Sequence, residues 1–230
     1  MGSETSGTLF VVATPIGNLG DLSPRAIDTL RSVDLIACED TRRTGRLLAG
    51  LGLEKRLLSF HEHNEEARID RLIGELAAGN DIALVSDAGT PLVSDPGYPL
   101  VRSALRQGHR VIAIPGASSV LAALVSSGLP PYPFTFLGYP PPKSGKRRNF
   151  FGRFAELGHT LVFFEAPHRI LASLEDAEEI LGERDAAVSR ELTKMHEETL
   201  RGNLGEVRRQ LEKRERIRGE LVVVVGKAYG

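Results

Sequence analysis

Short apolar runs alternate with amphipathic stretches along the first half of the chain. Leu9–Thr14, Leu35–Cys38, Leu57–Ser59, Ile82–Val85 and Val111–Ile114 are strand-length segments, and continuous apolar runs of this kind suit a sheet covered on both faces. Helical patterns separate them. Ser23-Pro24 opens the first, with Ala26, Ile27 and Leu30 on its inner face, Ser as N-cap and Pro at the first helical position. Arg46, Leu47 and Leu48 mark the second and lead to Gly50 and Gly52. Ile69, Leu72, Ile73, Leu76 and Ala77 fall at i, i+3, i+4, i+7 and i+8 of the third, one face of a helix. Leu100, Val101, Ala104 and Leu105 make the fourth. Regular alternation predicts a mostly parallel sheet flanked by helices. Right-handed crossovers then bring the loops at 15–21, 39–44, 60–64, 86–97 and 115–119 to one sheet edge, where open α/β sheets bind ligands.

The pattern changes after Gly128. Leu129-Pro130-Pro131-Tyr132-Pro133 reads as a stiff, extended linker. Strands are predicted at Phe134–Leu137, Leu161–Glu165, Ala186–Arg190 and Leu221–Val225. A helix runs from Ile170 to Leu181, another carries Leu204, Val207 and Leu211, and a third bears Phe150, Phe151, Phe154 and Leu157 after the basic run Lys143, Lys146, Arg147 and Arg148. The less regular mixture predicts a separate domain with a mixed sheet. The expected division is residues 8–116 and 117–230.

Composition narrows the function classes. A net charge of -1 announces no global basic field, so any contact with nucleic acid must use local patches. The single cysteine, Cys38, excludes an intrachain disulfide and fits a reducing cytoplasm. Met1 to Gly7 is polar, without the features of a signal peptide, and no apolar run approaches the ~18 residues of a spanning helix. A soluble cytoplasmic protein without a membrane role is expected. There is no G-x-G-x-x-G after the first strand and no P-loop, G-x-S-x-G, H-E-x-x-H or C-x-x-C pattern, which argues against dinucleotide dehydrogenases, P-loop NTPases and zinc hydrolases. His61 and His63 have metal-like spacing but lack an evident third ligand, so no metal is expected.

The stretch with the most candidate chemistry is Ser86-Asp87-Ala88-Gly89-Thr90-Pro91-Leu92-Val93-Ser94-Asp95-Pro96-Gly97. Its glycines, prolines and short polar side chains make a tight turn whose backbone can approach a ligand closely; an elaborate connection that binds nothing is the alternative. Glu39-Asp40-Thr41-Arg42 reads equally as an Asp cap with ion pairs or as part of a site. Pro115-Gly116-Ala117-Ser118-Ser119 opens a helix, so its free N–H groups and hydroxyls suit a polar ligand, although a plain N-cap accounts for Ser118 as well. Glu165-Ala166-Pro167-His168-Arg169 and the stretch Arg190 to Glu198 follow strands in the second half in the same way. The basic stretch Lys143 to Arg153 can meet phosphates, while its phenylalanines, at helical spacing, read as core.

Six motifs in this order carry a resemblance that none carries alone: Val12 to Asp21, Glu39 to Arg42, Ser86 to Gly97, Ile114 to Ser118, Phe164 to Arg169 and Arg190 to Lys194. Together they resemble the tetrapyrrole methylase superfamily and, within it, the ribosomal small-subunit RNA (cytidine-2'-O)-methyltransferases, over about Leu9 to Val225. The resemblance implies two α/β domains with S-adenosylmethionine in the cleft between them, usually as a homodimer. The implied reaction is methyl transfer to the ribose 2'-hydroxyl of a cytidine in the decoding region of small-subunit ribosomal RNA, with the assembled subunit as partner. Carried over by motif, Pro15 lies beside the cofactor; Ser86, Asp87 and Thr90 form its central loop, with Ala88, Gly89 and Leu92 close by. Ser118 and Ser119 contact it from the interdomain connection. Leu192 and Gly219, with Phe164 or Glu165, wall the adenine. Such a cofactor needs backbone polar groups, a carboxylate and an apolar slot.

A ribose hydroxyl is a poor nucleophile until its proton is removed or its developing charge is stabilised. Asp40 and His61 are the acid–base candidates, Arg42 and Lys194 the electrostatic ones, and Glu39, Asn64 and Glu197 weaker ones. Two rivals stand beside this reading: methylation of a porphyrinoid carbon, and a non-catalytic ligand-binding or ribosome-assembly module. Members of the family often continue into a small helical region after the last strand, where this chain stops at Gly230.

Overall fold

A computed structural model describes residues 6–228; of the polar N-terminal stretch read above, Met1 to Thr5 lie outside the described residues. The chain divides into two units, one running to Ser118 and the other starting at Ser119.

In the first unit the five apolar runs form strands β1 (Thr8–Val12), β2 (Leu35–Cys38), β3 (Leu57–Ser59), β4 (Ile82–Val85) and β5 (Arg110–Ile114). They pair in the order β3-β2-β4-β1-β5, every pair parallel. The connecting helices are α1 (Pro24–Ser32), α2 (Thr41–Gly50), α3 (Glu65–Ala77) and α4 (Tyr98–Arg106). Because side chains alternate across a strand, each strand feeds two cores. Leu35 and Ala37, with Ile82 and Leu84, pack with α3 and α4 through Leu72, Leu76, Leu100 and Ala104. Ile36 and Cys38, with Ala83 and Val85, pack with α1 and α2 through Ala26, Leu30 and Leu48. Ser23 caps α1, the Ala26 amide donating to its Oγ at 3.1 Å.

This arrangement sets a switch point. From β1 the chain moves outward through α1 and α2 on one face, then returns through α3 and α4 on the other. Neighbouring strands β1 and β4 therefore send their following helices to opposite faces. Ligand crevices of open α/β sheets lie at such points.

The second unit holds α5 (Ser119–Ser126), β6 (Phe134–Phe136), α6 (Ser144–Gly152), β7 (Thr160–Glu165), α7 (Ile170–Leu181), β8 (Asp185–Arg190), β9 (Glu198–Asn203), α8 (Leu204–Glu212) and β10 (Leu221–Val225). The sheet order is β6-β7-β10-β8-β9, with β6–β7 parallel and the rest antiparallel, the mixed sheet expected. Two details differ from the sequence reading. Strand β9 escapes periodicity because Glu-Thr-Leu-Arg-Gly-Asn has a single large apolar residue; its pairing with β8 along six residues makes it a strand. Helix α6 begins at Ser144 and ends at Gly152, with Lys143 at its N-cap, so Lys146, Arg147 and Arg148 lie inside the helix, and Phe154 and Leu157 lie beyond its end. Phe151 is fully buried, with Phe150 and Phe154 packed on the same core, as their spacing suggests. Among the described residues no helix is long and apolar enough to cross a membrane.

Candidate functional site

Four of the five carboxyl-end loops of the parallel sheet, those after β1, β2, β4 and β5, are stitched together at the switch point. Thr14, just past β1, exchanges two backbone hydrogen bonds with Gly89, at 2.9 and 3.0 Å, and its hydroxyl donates to the Ser86 carbonyl at 3.2 Å. Gly89 has φ +81°, and a Cβ there would stand 3.3 Å from an Ile16 methyl; glycine lets the β4 loop lie flat on the β1 loop. The β5 loop closes on the same place. Thr90 Oγ1 donates to the Ala117 carbonyl at 3.2 Å, and a Cβ on Gly116 would reach 2.9 Å from Ala13 Cβ. Pro15 is half-buried and Ser86 almost fully buried.

Asp87 ties in the β2 loop. Its Oδ1 accepts the Asp40 backbone N–H at 3.1 Å, and its Oδ2 lies 3.3 Å from Arg43 Nη1. Asp40 is itself the N-cap of α2, accepting the Arg42 amide at 2.8 Å and the Arg42 guanidinium at 3.0 Å. These bonds from Arg42 hold the Asp40 carboxyl down at about 2. The cap reading of Glu39-Asp40-Thr41-Arg42 holds, and the Asp40 amide ties the same stretch to the β4 loop.

Asp95 completes an acidic group with Glu39 and Asp87. Burial raises its carboxyl to about 6, with Glu39 and Asp87 adding to the rise and a hydrogen bond with the Ser86 side chain opposing it. Burial, and then Asp87, also raise Glu39. The loop bearing Asp95 is strained: Leu92 and Ser94 have φ of 73° and 67°, a region costly for residues other than glycine. Gly97, at φ +127°, passes so close to β4 that a Cβ would stand 2.7 Å from Leu84 Cδ2, and its N–H donates to Glu65 Oε2 at 3.3 Å.

The raised Asp95 carboxyl has a consequence for stability. Folding favours its proton, so its stabilising contribution is complete below pH ~4, the ordinary aspartate value, and is lost as pH rises through about 6. Ionising it in place costs ~3 kcal/mol at face value, cut to about 1 kcal/mol by solvent screening at a half-buried position. Asp95→Asn is therefore expected to raise the melting temperature by ~2–4 °C at pH 8 and to leave it unchanged near pH 4. Differential scanning calorimetry at the two pH values checks this; equal destabilisation at both would refute it.

His61, at the end of β3, is engaged locally. Asn64 Oδ1 accepts the His61 backbone N–H at 2.9 Å, so its amide Nδ2 faces His61 Nε2, at 3.0 Å. With Nε2 accepting from the Asn64 amide, the neutral ring carries its proton on Nδ1, which among the described residues is buried without a hydrogen-bond partner. Asn64 makes no side-chain cap to α3; it fastens the histidine instead. The His61 and His63 rings meet edge to face at 5.9 Å. Cys38 is fully buried, and burial pushes its thiol up, consistent with a core residue and not a nucleophile.

The remaining candidates belong to the second unit, except Ser118, the last residue of the first. Ser119 opens α5. Glu165 is buried, and both its oxygens are taken: Oε1 by Arg169 at 2.6 Å and the Ala166 N–H at 2.7 Å, Oε2 by the Ser173 hydroxyl. It braces its own loop, and of the pair Phe164 or Glu165 only the Phe164 ring, half-buried against Phe136 and Tyr139, keeps surface for a ligand. Leu192 lies between Glu191 and Thr193, at φ 53° and 65°. Lys194 Nζ sits 3.0 Å from Glu191 and 3.2 Å from Glu220. Burial pulls its ammonium down, but these carboxylates outweigh burial and raise it, so it remains a cation. A Cβ on Gly219, at φ +90°, would stand 2.5 Å from the Glu191 side chain. The loops around Leu192 and Gly219 are thus sewn together by Glu191. Asp95 lies in the stretch that the sequence marks out, though not as an individual candidate, and Glu65, which receives the Gly97 N–H, lies outside every marked stretch.

The family model described as Tetrapyrrole (Corrin/Porphyrin) Methylases matches residues 8–208. The chain belongs to the tetrapyrrole methylase family. Among curated members of known name, this methylase is 50% identical over 220 residues to the ribosomal RNA small subunit methyltransferase I of Micromonospora olivasterospora, covering 96% of this chain and 70% of that one. It is 51% identical over 224 residues to the protein of the same name from Xylella fastidiosa, covering 96% and 82%. Among solved structures it resembles the methyltransferase CobJ, with TM-score 0.72 and 18% identity over 97% of this chain and 95% of that one. It also resembles the uroporphyrin III C-methyl transferase of Thermus thermophilus, with TM-score 0.67 and 20% identity over 96% and 97%. At such identities these structures speak for the methylase fold alone.

Proposed function

We propose that this methyltransferase uses S-adenosylmethionine to methylate the ribose 2'-hydroxyl of a cytidine in the decoding region of small-subunit ribosomal RNA. The observation carrying the proposal is the kinship with proteins named for small-subunit ribosomal RNA methylation, half identical over nearly the whole chain. The switch-point loops support it chemically. Asp87, Asp95 and Glu39 make an anionic surround suited to a cationic ligand, and the Ser86–Thr90 backbone, flattened by Gly89, suits a close approach. No glycine-rich phosphate cradle is needed, in keeping with its absence from the sequence.

Pro15, Ser86, Asp87, Ala88, Gly89, Thr90 and Leu92 would hold the cofactor, with Ser118, Ser119, Phe164, Leu192 and Gly219 as further contacts. When bound, S-adenosylmethionine supplies an electrophilic methyl group on a sulfonium. The protein's part is to position the hydroxyl and receive or stabilise its proton. Asp40, held at about 2 by Arg42, is too weak a base to take that proton and serves to fix α2 and Arg42. His61 offers Nε2 only if Asn64 releases it. Arg42 and Lys194 supply positive charge, and positioning contributes much of the rate. His61→Ala and Lys194→Ala are each expected to lower the single-turnover rate about 10-fold or more with cofactor affinity retained, and Asp40→Asn to lower it by loosening the hold on Arg42. Near-normal rates in all three would discard the catalytic assignment.

The reading extends to a cytoplasmic homodimer acting on the assembled small subunit. Its test is transfer of labelled methyl from S-adenosylmethionine to unmodified small subunits. Label on a cytidine ribose, none on uroporphyrinogen and a dimer in sedimentation support it. Label on the macrocycle, or binding without transfer, overturns it in favour of a porphyrinoid methylase or a non-catalytic module.

A further inference from the structure

With a net charge of -1, the molecule has no global field for RNA, so a grip on phosphates must come from guanidinium or ammonium groups left unpaired at one place. In the basic run at α6 both guanidiniums are spent, which leaves the separate ammoniums of Lys143 and Lys146 exposed. Arg147 is buried against Asp176, and Arg148 is held by Asp176 and Glu179 at 2.8 and 2.7 Å.

A second run, Lys213-Arg214-Glu215-Arg216-Ile217-Arg218, has four cations in six positions, and there the pairing differs. Arg214 is spent on a two-pronged bond to Glu198, at 2.5 and 2.7 Å. Arg190 binds the same Glu198 at 2.5 Å and donates to the Arg218 carbonyl at 3.3 Å, which fastens the segment from behind. Ile217 is half-buried and packs on the core, while its neighbours Arg216 and Arg218 are exposed. Neither guanidinium has an ion pair or side-chain hydrogen bond among the described residues. Both line a concavity whose other wall is Pro167, His168 and Leu171, with His168 exposed. Glu215 is the single carboxylate in that lining.

We propose that Arg216 and Arg218, presented by the Arg190–Glu198–Arg214 network across from His168, grip the phosphodiester backbone of the RNA substrate. This rests on the ribosomal RNA reading above. A guanidinium fork matches phosphate oxygens bidentately, and two such forks on an open wall suit a repeating anion. The wall offers no large aromatic anchor of the kind that dominates protein–protein contacts, which favours RNA over an acidic protein.

The test compares wild type, Arg216→Ala/Arg218→Ala and Arg216→Lys/Arg218→Lys as full chains. Methyl transfer to unmodified small subunits is measured over a range of salt, alongside direct binding of an RNA fragment spanning the modified region. For the alanine pair the expected result is a subunit KM raised about 10-fold or more, a log affinity against log salt slope reduced by roughly 2, and unchanged S-adenosylmethionine affinity and kcat. The lysine pair recovers most of the slope. Unchanged KM and slope in the alanine pair overturn the proposal, as does a KM effect with RNA-fragment binding unaltered, which would place a ribosomal protein on this wall. If wild type transfers nothing to the subunit, the functional reading fails by itself, and the RNA-binding slopes still decide whether the wall holds phosphates.

Discussion

Asp176→Ala destabilises the C-terminal unit by about 3–5 kcal/mol, the cost of stranding a buried charge. The Arg147 and Asp176 side chains are 3% and 4% exposed. Asp176 Oδ2 accepts Arg147 Nε at 2.7 Å, and its Oδ1 accepts Arg148 Nε at 2.8 Å and Ser144 Oγ at 2.9 Å. Arg147 spends its other donors on the Pro142 and Ala172 carbonyls, at 3.1 and 3.2 Å. One carboxylate thus fastens the start of α6 to the middle of α7. Burial alone would raise the Asp176 carboxyl, but Arg148, Ser144 and Arg147 outweigh it and lower it. Its stabilisation is therefore complete above pH ~4 and is lost as pH falls below that value. Alanine leaves Arg147 charged and buried, so the melting temperature falls by roughly 6–20 °C. An Arg147→Met/Asp176→Leu pair restores most of the loss, because well-packed apolar groups replace a buried ion pair at little cost. Calorimetry on the three chains checks this; a fall of less than about 1 kcal/mol for Asp176→Ala would mean that Arg147 finds water.

Asp87→Ala weakens S-adenosylmethionine binding about 100-fold, the most damaging single change expected in the proposed cofactor loop. A charged hydrogen bond contributes about 1.5–3 kcal/mol, and each 1.4 kcal/mol is tenfold in affinity. The alanine also releases the Asp40 amide and Arg43, so the β2 loop loses its tie to the β4 loop. Asp87→Asn keeps an acceptor for the Asp40 amide but loses the charge, and a fall of about 10-fold is expected. Titration calorimetry separates the three proteins. Wild-type affinity in both variants would remove Asp87 from the binding site and leave it as a brace between loops.

Much of this site could be read along the chain, for an identifiable reason. In a parallel sheet each strand ends in a loop on the same edge, so recognising five strands locates five loops without any contact being known. Ser86–Gly97 stood out because glycines and short polar residues pack there in a density that ordinary connections do not need. The pairing of polar groups was not legible. Glu39-Asp40-Thr41-Arg42 already reads as an Asp cap with ion pairs, but that Asp87 takes the Asp40 amide is a fact of three-dimensional placement. His61 reads as an acid–base candidate, but that Asn64 engages its Nε2 shows only in the structure. The basic run on α6 looked like a phosphate patch, but acidic residues about 30 positions away in α7 neutralise Arg147 and Arg148. The run at 213–218 drew no notice, although its two outer guanidiniums are the ones left unpaired.

By itself the sequence determined the two α/β units, the order of the first five strands along the chain, the loop edge and, through motifs in order, the kinship with tetrapyrrole methylases. These follow from periodicity and residue type, which are local properties. Only the tertiary structure decided the β3-β2-β4-β1-β5 order, with β4 inserted beside β1 to create the switch point, and the membership of β9 in the second sheet. It alone showed which charges are spent on partners inside the fold. The reason is that burial and ion pairing depend on residues far apart in the chain, and no pattern of neighbours encodes them.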